Sequence, residues 1–223
     1  MSAPVNQTKS KQRIANFGEV YTSAREVNAM LDLVKPETER IESRFLEPAC
    51  GNGNFLIEVL TRKLARVASR YGKSRLEYAR YSISAIASLY GIDILQDNVI
   101  ECRNRLYNYF LGQYMDLFGF FPNDDLPKSA KYILDRNIVW GDALTLKTVD
   151  DDSKPIVFSE WSLIMGGMIK RRDFGFHELL YQSENNSMPL FSDTGEDVFI
   201  PQPEKEFPPV HYLKIWDMEA EAV

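Results

Sequence analysis

Between Phe45 and Leu56 the chain reads Phe45-Leu46-Glu47-Pro48-Ala49-Cys50-Gly51-Asn52-Gly53-Asn54-Phe55-Leu56. Few local structures accept such a stretch. A short apolar run stops at an acid, a proline withdraws one backbone donor, and two glycines free the main chain before an apolar-periodic segment begins. The expected structure is a strand over 44–47, a tight turn, and a helix marked by Phe55, Leu56, Val59, Leu60 and Leu64. The far side of that helix carries Arg62, Lys63, Arg66 and Arg70, which read as a solvated basic face. The turn lets a ligand approach the backbone and meet the N–H groups that open a helix.

The same punctuation recurs twice. Leu89-Tyr90-Gly91-Ile92-Asp93-Ile94 and Asn137-Ile138-Val139-Trp140-Gly141-Asp142-Ala143-Leu144 are apolar runs that close on an acid. Helical spacing lies between them, over Leu76–Leu89, from Asp97 to Phe110 and on toward Leu117, and briefly over Ala130–Leu134. Ahead of the glycine turn, Val27, Met30, Leu31 and Val34 share one face of a helix that starts after Thr22-Ser23 and ends at Pro36. Ile156-Val157-Phe158 is a fourth strand. Strands alternating with helices predict an α/β domain with a mainly parallel sheet. Ligands bind such sheets beyond the carboxyl ends of the strands, where Glu47, Asp93 and Asp142 all fall.

The expected organisation is a flexible arm over 1–16, an α/β domain over 17–160 and an irregular extension over 161–223. The extension holds Gly166-Gly167, a basic turn at Lys170-Arg171-Arg172, several prolines from Pro189 to Pro209, and the aromatic anchors Phe199, Tyr212 and Trp216. A net charge of -6 argues against tight autonomous nucleic-acid binding. Cys50 and Cys102 lack metal-ligand spacing, and His177 and His211 have no catalytic companion nearby, so no metal is expected. The polar first residues do not resemble a secretory leader, and no apolar run approaches the roughly 18 residues of a membrane span; a reduced, cytoplasmic protein is expected.

The glycine turn does not fit the commoner nucleotide patterns. A dinucleotide fingerprint needs a third glycine where this chain has Leu56, and no Gly-Lys-Ser/Thr follows for a P-loop. The acids suit a smaller zwitterionic nucleoside. Glu47 can accept from an ammonium group, Asp93 from both ribose hydroxyls and Asp142 from an adenine amino group, while Gly51 and Gly53 remove β-carbons from the ligand's path. Those features together describe S-adenosyl-L-methionine.

With these segments in view, the chain resembles the cofactor-binding half of the adenine-N6 DNA methyltransferases of restriction–modification systems. The likeness covers roughly residues 13–147 and rests on Gly18-Glu19-Val20-Tyr21-Thr22-Ser23, the 46–56 loop, Tyr90-Gly91-Ile92-Asp93-Ile94 and Gly141-Asp142-Ala143-Leu144. It implies a Rossmann-like methyltransferase fold. It implies cofactor contacts from Tyr21, Thr22, Glu47, Pro48, Ala49, Cys50, Gly51, Gly53, Asn54, Phe55, Asp93, Ile94, Asp142 and Ala143. Thr22, Glu47, Ala49, Gly51 and Phe55 would border the methionine part, Asp93 the ribose, and Asp142 with Ala143 the adenine. The transfer expected of the family is direct attack of an exocyclic amine on the sulfonium methyl, helped by positioning and by acceptors for the developing positive charge.

One family feature has no counterpart. An Asn/Asp-Pro-Pro-Tyr/Phe tetrapeptide should follow the fourth strand, where it would hold the target amine and stack on a flipped base. Here Ser159-Glu160-Trp161 stands in its place, offering an acceptor and an aromatic ring as weak catalytic candidates. Three expectations therefore stay open. The chain is a DNA adenine-N6 methyltransferase of a restriction or phage-defence system, or a cofactor-binding subunit that needs a partner for catalysis and DNA recognition, or a small-molecule or protein methyltransferase. The expected partners are DNA, directly or through that subunit, and a second protein subunit or a further copy of the chain.

Overall fold

A computed structural model describes residues 13, 15, 22–185 and 202–219. The Ser23 hydroxyl caps helix α1 (Ala24–Leu33), and the Glu26 carboxylate accepts from the Ser23 amide in return, at 3.2 Å. Val27 and Leu31 are its buried residues, whereas Met30 and Val34 are exposed. Pro36 does not end this helix. It stands in the first turn of α2 (Lys35–Glu39), where its missing N–H costs nothing.

Strand β1 (Phe45–Glu47) leads through the glycine turn into α3 (Asn54–Tyr71). α3 buries Leu56, Val59, Leu60, Leu64 and Val67 at helical spacing, and Lys63 with them, so the basic side of this helix is narrower than expected. Next come α4 (Arg75–Ala87), β2 (Leu89–Asp93) and α5 (Gln96–Phe118), which stops at left-handed Gly119. α6 (Asp125–Asn137) is longer than the predicted Ala130–Leu134, because Leu126, Ala130, Ile133 and Leu134 continue one buried stripe toward its start. β3 (Ile138–Asp142) and the short β4 (Lys147–Thr148) follow.

β1, β2 and β3 are parallel neighbours in that order, with Phe45 opposite Leu89 and Gly91 opposite Ile138; β4 adds antiparallel to β3. Side chains alternate across this sheet. Leu89 and Ile138 join the helices in the larger core, while Tyr90 and Ile92 meet Ile156, Phe158 and Phe176 on the other face. The protein is thus α/β, with a partly parallel main sheet.

The predicted fourth strand takes a different course. β5 (Val157–Leu163) pairs antiparallel with β6 (Met168–Gly175), in register from Val157 opposite Gly175 to Leu163 opposite Ile169. Its first half covers the β2 face, and the Tyr90 hydroxyl donates to the Ser159 carbonyl at 3.0 Å. A boundary at residue 160 therefore falls inside a strand. The region after it holds β6, helix α7 (Phe176–Asn185), β7 (Lys205–Glu206) and β8 (Val210–His211), the last two paired with β6, and the 3-10 turn Tyr212–Asp217.

Lys170-Arg171-Arg172 is not a turn but the middle of β6, and alternation separates its side chains. Lys170 pairs with Glu206 and Arg172 with Glu160, both at 2.7 Å, while Arg171 is buried. The Arg171 guanidinium donates to Asp173, Ser159, Tyr132 and Glu219 and lies 4.1 Å from the Phe207 ring centre. That network, together with Ile169, Phe207, Val210, Tyr212, Ile215 and Met218 in the larger core, organises the C-terminal region. No helix among the described residues is long and apolar enough to cross a membrane.

Candidate functional site

The parallel register brings the ends of β1, β2 and β3 side by side, and a cavity of about 700 Å3 lies beyond them. Glu47, Asp93 and Asp142 border it together with Thr22, Pro48, Ala49, Cys50, Gly51, Asn54, Phe55, Ile94 and Ala143. Gly53 stands behind this wall. Its φ of +87° is a left-handed conformation, and a β-carbon there would meet Cys102 Sγ at 2.7 Å, so glycine is required by the turn and by its support on α5. Tyr21 lies outside the described residues.

The turn is held from three directions. The Cys50 amide donates to the Ile92 carbonyl at 2.9 Å, which ties the loop to β2. Asp93 accepts from the Gly51 amide at 2.8 Å, the Leu95 amide at 2.8 Å and Asn98 Nδ2 at 3.3 Å. The acid at the end of β2 thereby pins the glycine turn and holds the residue that precedes α5, and its carboxylate keeps about one acceptor site for a ligand. From α5, Arg105 donates to the Asn52 carbonyl at 2.7 Å and to Asn54 Oδ1 at 2.9 Å, and Asn52 Nδ2 donates to Glu101 at 3.1 Å. Asn54 Nδ2 in turn donates to the Thr22 carbonyl at 3.2 Å, joining the loop to the residue that precedes the α1 cap.

The three acids occupy different environments. Burial raises the Glu47 pKa, and a backbone hydrogen bond at Ala49 only partly offsets that. Asp142 accepts from the Leu144 amide at 2.9 Å, which turns the chain sharply and leaves Leu144 at 94 % exposure beside the cavity. The adjacent Cys102 and burial push the Cys50 thiol well above its ordinary pKa, which fits a packing role rather than a nucleophilic one.

No arginine or lysine borders this cavity among the described residues. Carboxylates and apolar groups favour a ligand with cationic or hydroxyl donors and a flat apolar part, since the Gly51 and Gly53 amides already donate to Asp93 and to the Cys50 carbonyl. They disfavour one with a chain of phosphates. No His/Cys/Asp/Glu group among the described residues could hold a metal ion.

Ser159, Glu160 and Trp161 do not join the site. The Ser159 hydroxyl is buried and donates to Asp173 at 2.7 Å; Glu160 is clamped between Arg44 and Arg172; Trp161 Nε1 donates to Asn137 at 3.0 Å. The strand bearing them runs antiparallel to β6 across the sheet face, so its end does not meet the carboxyl edge of β1–β3.

Sequence reasoning missed Met30, Leu95, Asn98, Gly141 and Leu144 in the cavity wall, and Glu101 and Arg105 behind the loop. A signal for the polar members was present. Asn98, Glu101 and Arg105 stand at i, i+3 and i+7, a polar stripe on one face of α5. No protein-family model matches the chain, and no significant match exists among curated proteins or solved structures.

Proposed function

We propose that this chain is the S-adenosylmethionine-binding component of a DNA methyltransferase that acts on an exocyclic amino group, with a Rossmann-like methyltransferase fold. One observation carries the proposal: the three strand-end acids Glu47, Asp93 and Asp142 share one cavity that no basic side chain among the described residues borders. S-adenosylmethionine has the matching chemistry of an ammonium group, a sulfonium, ribose hydroxyls and an adenine amine. Bound, it supplies an activated methyl group.

The chain's own residues bind and orient. Glu47, with Thr22, Ala49, Gly51 and Phe55, takes the amino-acid end. Asp93 accepts from the ribose while keeping the glycine turn closed through Gly51. Asp142 and Ala143 meet the adenine edge, with Ile94 against its face. The remote placement of Ser159, Glu160 and Trp161 favours a cofactor-binding subunit whose partner contributes the groups that hold the target amine.

Titration calorimetry tests the first part. Wild-type protein should bind S-adenosylmethionine and its demethylated product, and Asp93→Ala should weaken both by about tenfold or more, given the ~1.5–3 kcal/mol of hydrogen bonds to a charged group. Wild-type protein that binds neither compound would refute the proposal.

A further inference from the structure

A second cavity, of about 640 Å3, opens beside the amino ends of β1 and β2, at the opposite end of these strands from Glu47 and Asp93. α4 forms one wall through Arg80 and Tyr81, and β5 with the turn after it forms the other through Trp161, Leu163 and Met165. The volume falls in the ~300–1,000 Å3 range of small-molecule sites.

Arg80 is the unusual member. Its side chain is only 22 % exposed, yet its nearest acceptors are the Ile164 carbonyl at 3.4 Å and a Glu77 oxygen at 3.9 Å. Its Nε is shut off from solvent and has no hydrogen-bond partner. A guanidinium carries five donors in a rigid fork that matches oxyanions, and burying it with most of them unmatched is costly. The other arginines nearby are occupied, since Arg44 and Arg172 share Glu160. Of the charged residues that line the cavity, Arg44 and Arg80 stand against Glu42.

The walls beside Arg80 are aromatic. Tyr81 is braced by stacking on Tyr71, with ring centres 4.1 Å apart, and Trp161 is fixed by its bond to Asn137. Aromatic rings on both walls, beside a guanidinium whose Nε has no partner, suit an anion carried on a planar body.

We infer that this cavity is a second ligand site that takes a nucleotide, with Arg80 holding the phosphate and Tyr81 and Trp161 flanking the base. The inference does not rest on the cofactor proposal, since the two cavities share no residue. The nucleotide is either free or a unit of a nucleic-acid strand, and the same recognition serves both.

Calorimetry with thymidine 5′-monophosphate, thymidine and an oligothymidylate separates the outcomes. Thymidine lacks the adenine that the first cavity would take. The monophosphate should bind, thymidine should bind about tenfold or more weakly, and Arg80→Gln should bring the monophosphate down to the level of thymidine. Arg80→Lys should recover part of the loss. Tyr81→Leu, which leaves the guanidinium in place, should weaken both ligands and provides an independent check if Arg80→Gln does not fold. An oligothymidylate that binds more tightly than the monophosphate, with the same dependence on Arg80, identifies a strand; equal affinity identifies the free nucleotide. No binding of the monophosphate or the oligothymidylate at millimolar concentration, or wild-type affinity in a folded Arg80→Gln variant, overturns the inference.

Discussion

Lys63 is the residue on which the physics of this fold bears most directly. It is fully buried, with Nζ donating to the carbonyls of Ile41 and Ser43 and to the Ser88 hydroxyl, and it lies 5.2 Å from the Phe45 ring centre. The ammonium thus ties the approach to β1 onto α3 and the start of β2. Burial lowers its pKa to about 7, and the Glu42 carboxylate offsets this only in part. An unfolded lysine titrates near 10.4. Between those values the unfolded chain binds the extra proton, so stability rises with pH from about 7 toward 10, by at most ~1.4 kcal/mol per pH unit. Below pH 7 both states carry the charge and the gain is absent. Urea titrations at several pH values should show this rise in the wild type. In Lys63→Met it should be smaller, and the variant should lose ~1–3 kcal/mol at neutral pH because oxygen acceptors are left unpaired. An identical pH slope in both proteins would refute the assignment. The position was legible in the sequence: Val59, Leu60, Lys63, Leu64 and Val67 follow the buried helical spacing, and the residue's charge masked what its place in the period implied.

The elements show where sequence reasoning succeeds and where it stops. β1, β2 and β3 announce themselves because each is a short apolar run that closes on an acid, and their parallel pairing agrees with their alternation with helices. The start of β5 does so too, but Ile156-Val157-Phe158 specifies an apolar strand without specifying its neighbour or its length. Its partner β6 hides behind Lys170-Arg171-Arg172, where a buried cation satisfied by Asp173 replaces the apolar residue that a period-two pattern seeks. The site divides the same way. Its acids and glycines were legible as a pattern, but the support from α5 depends on which helix face meets the loop. Arg105 gives that support a measurable form. It touches the loop without bordering the cavity, so Arg105→Ala should raise the dissociation constant for S-adenosylmethionine about tenfold while leaving α5 folded. Hydrogen exchange should quicken at the loop amides of residues 51–55. Unchanged exchange and affinity would show that β2 alone holds the turn.

At the scale of the whole molecule, charge and the division of the two sheets set what the chain does alone. The net charge of -6 opposes condensation onto a phosphate backbone, and the cavity at the carboxyl edge of β1–β3 has carboxylates rather than cations among the described residues of its wall. That wall should admit S-adenosylmethionine and S-adenosylhomocysteine and reject ATP and NAD, which carry phosphates into a region of like charge. Competition calorimetry should show no displacement of the cofactor product by either phosphate-bearing nucleotide. The methyl transfer proposed above asks for more. A target amine must be held beside the methyl group by acceptors aimed at it, and the candidates for that task, Ser159, Glu160 and Trp161, are tied up in bonds to Asp173, to Arg44 and Arg172, and to Asn137. Freeing them would break the hairpin of β5 and β6 and uncover the β2 face that Phe158 fills. The purified chain should therefore bind the cofactor yet transfer no labelled methyl to unmethylated DNA, and transfer should appear once a partner subunit completes the site. Methyl transfer by the purified chain alone, abolished by Asp93→Ala, would refute the need for a partner and place the acceptor groups within this chain.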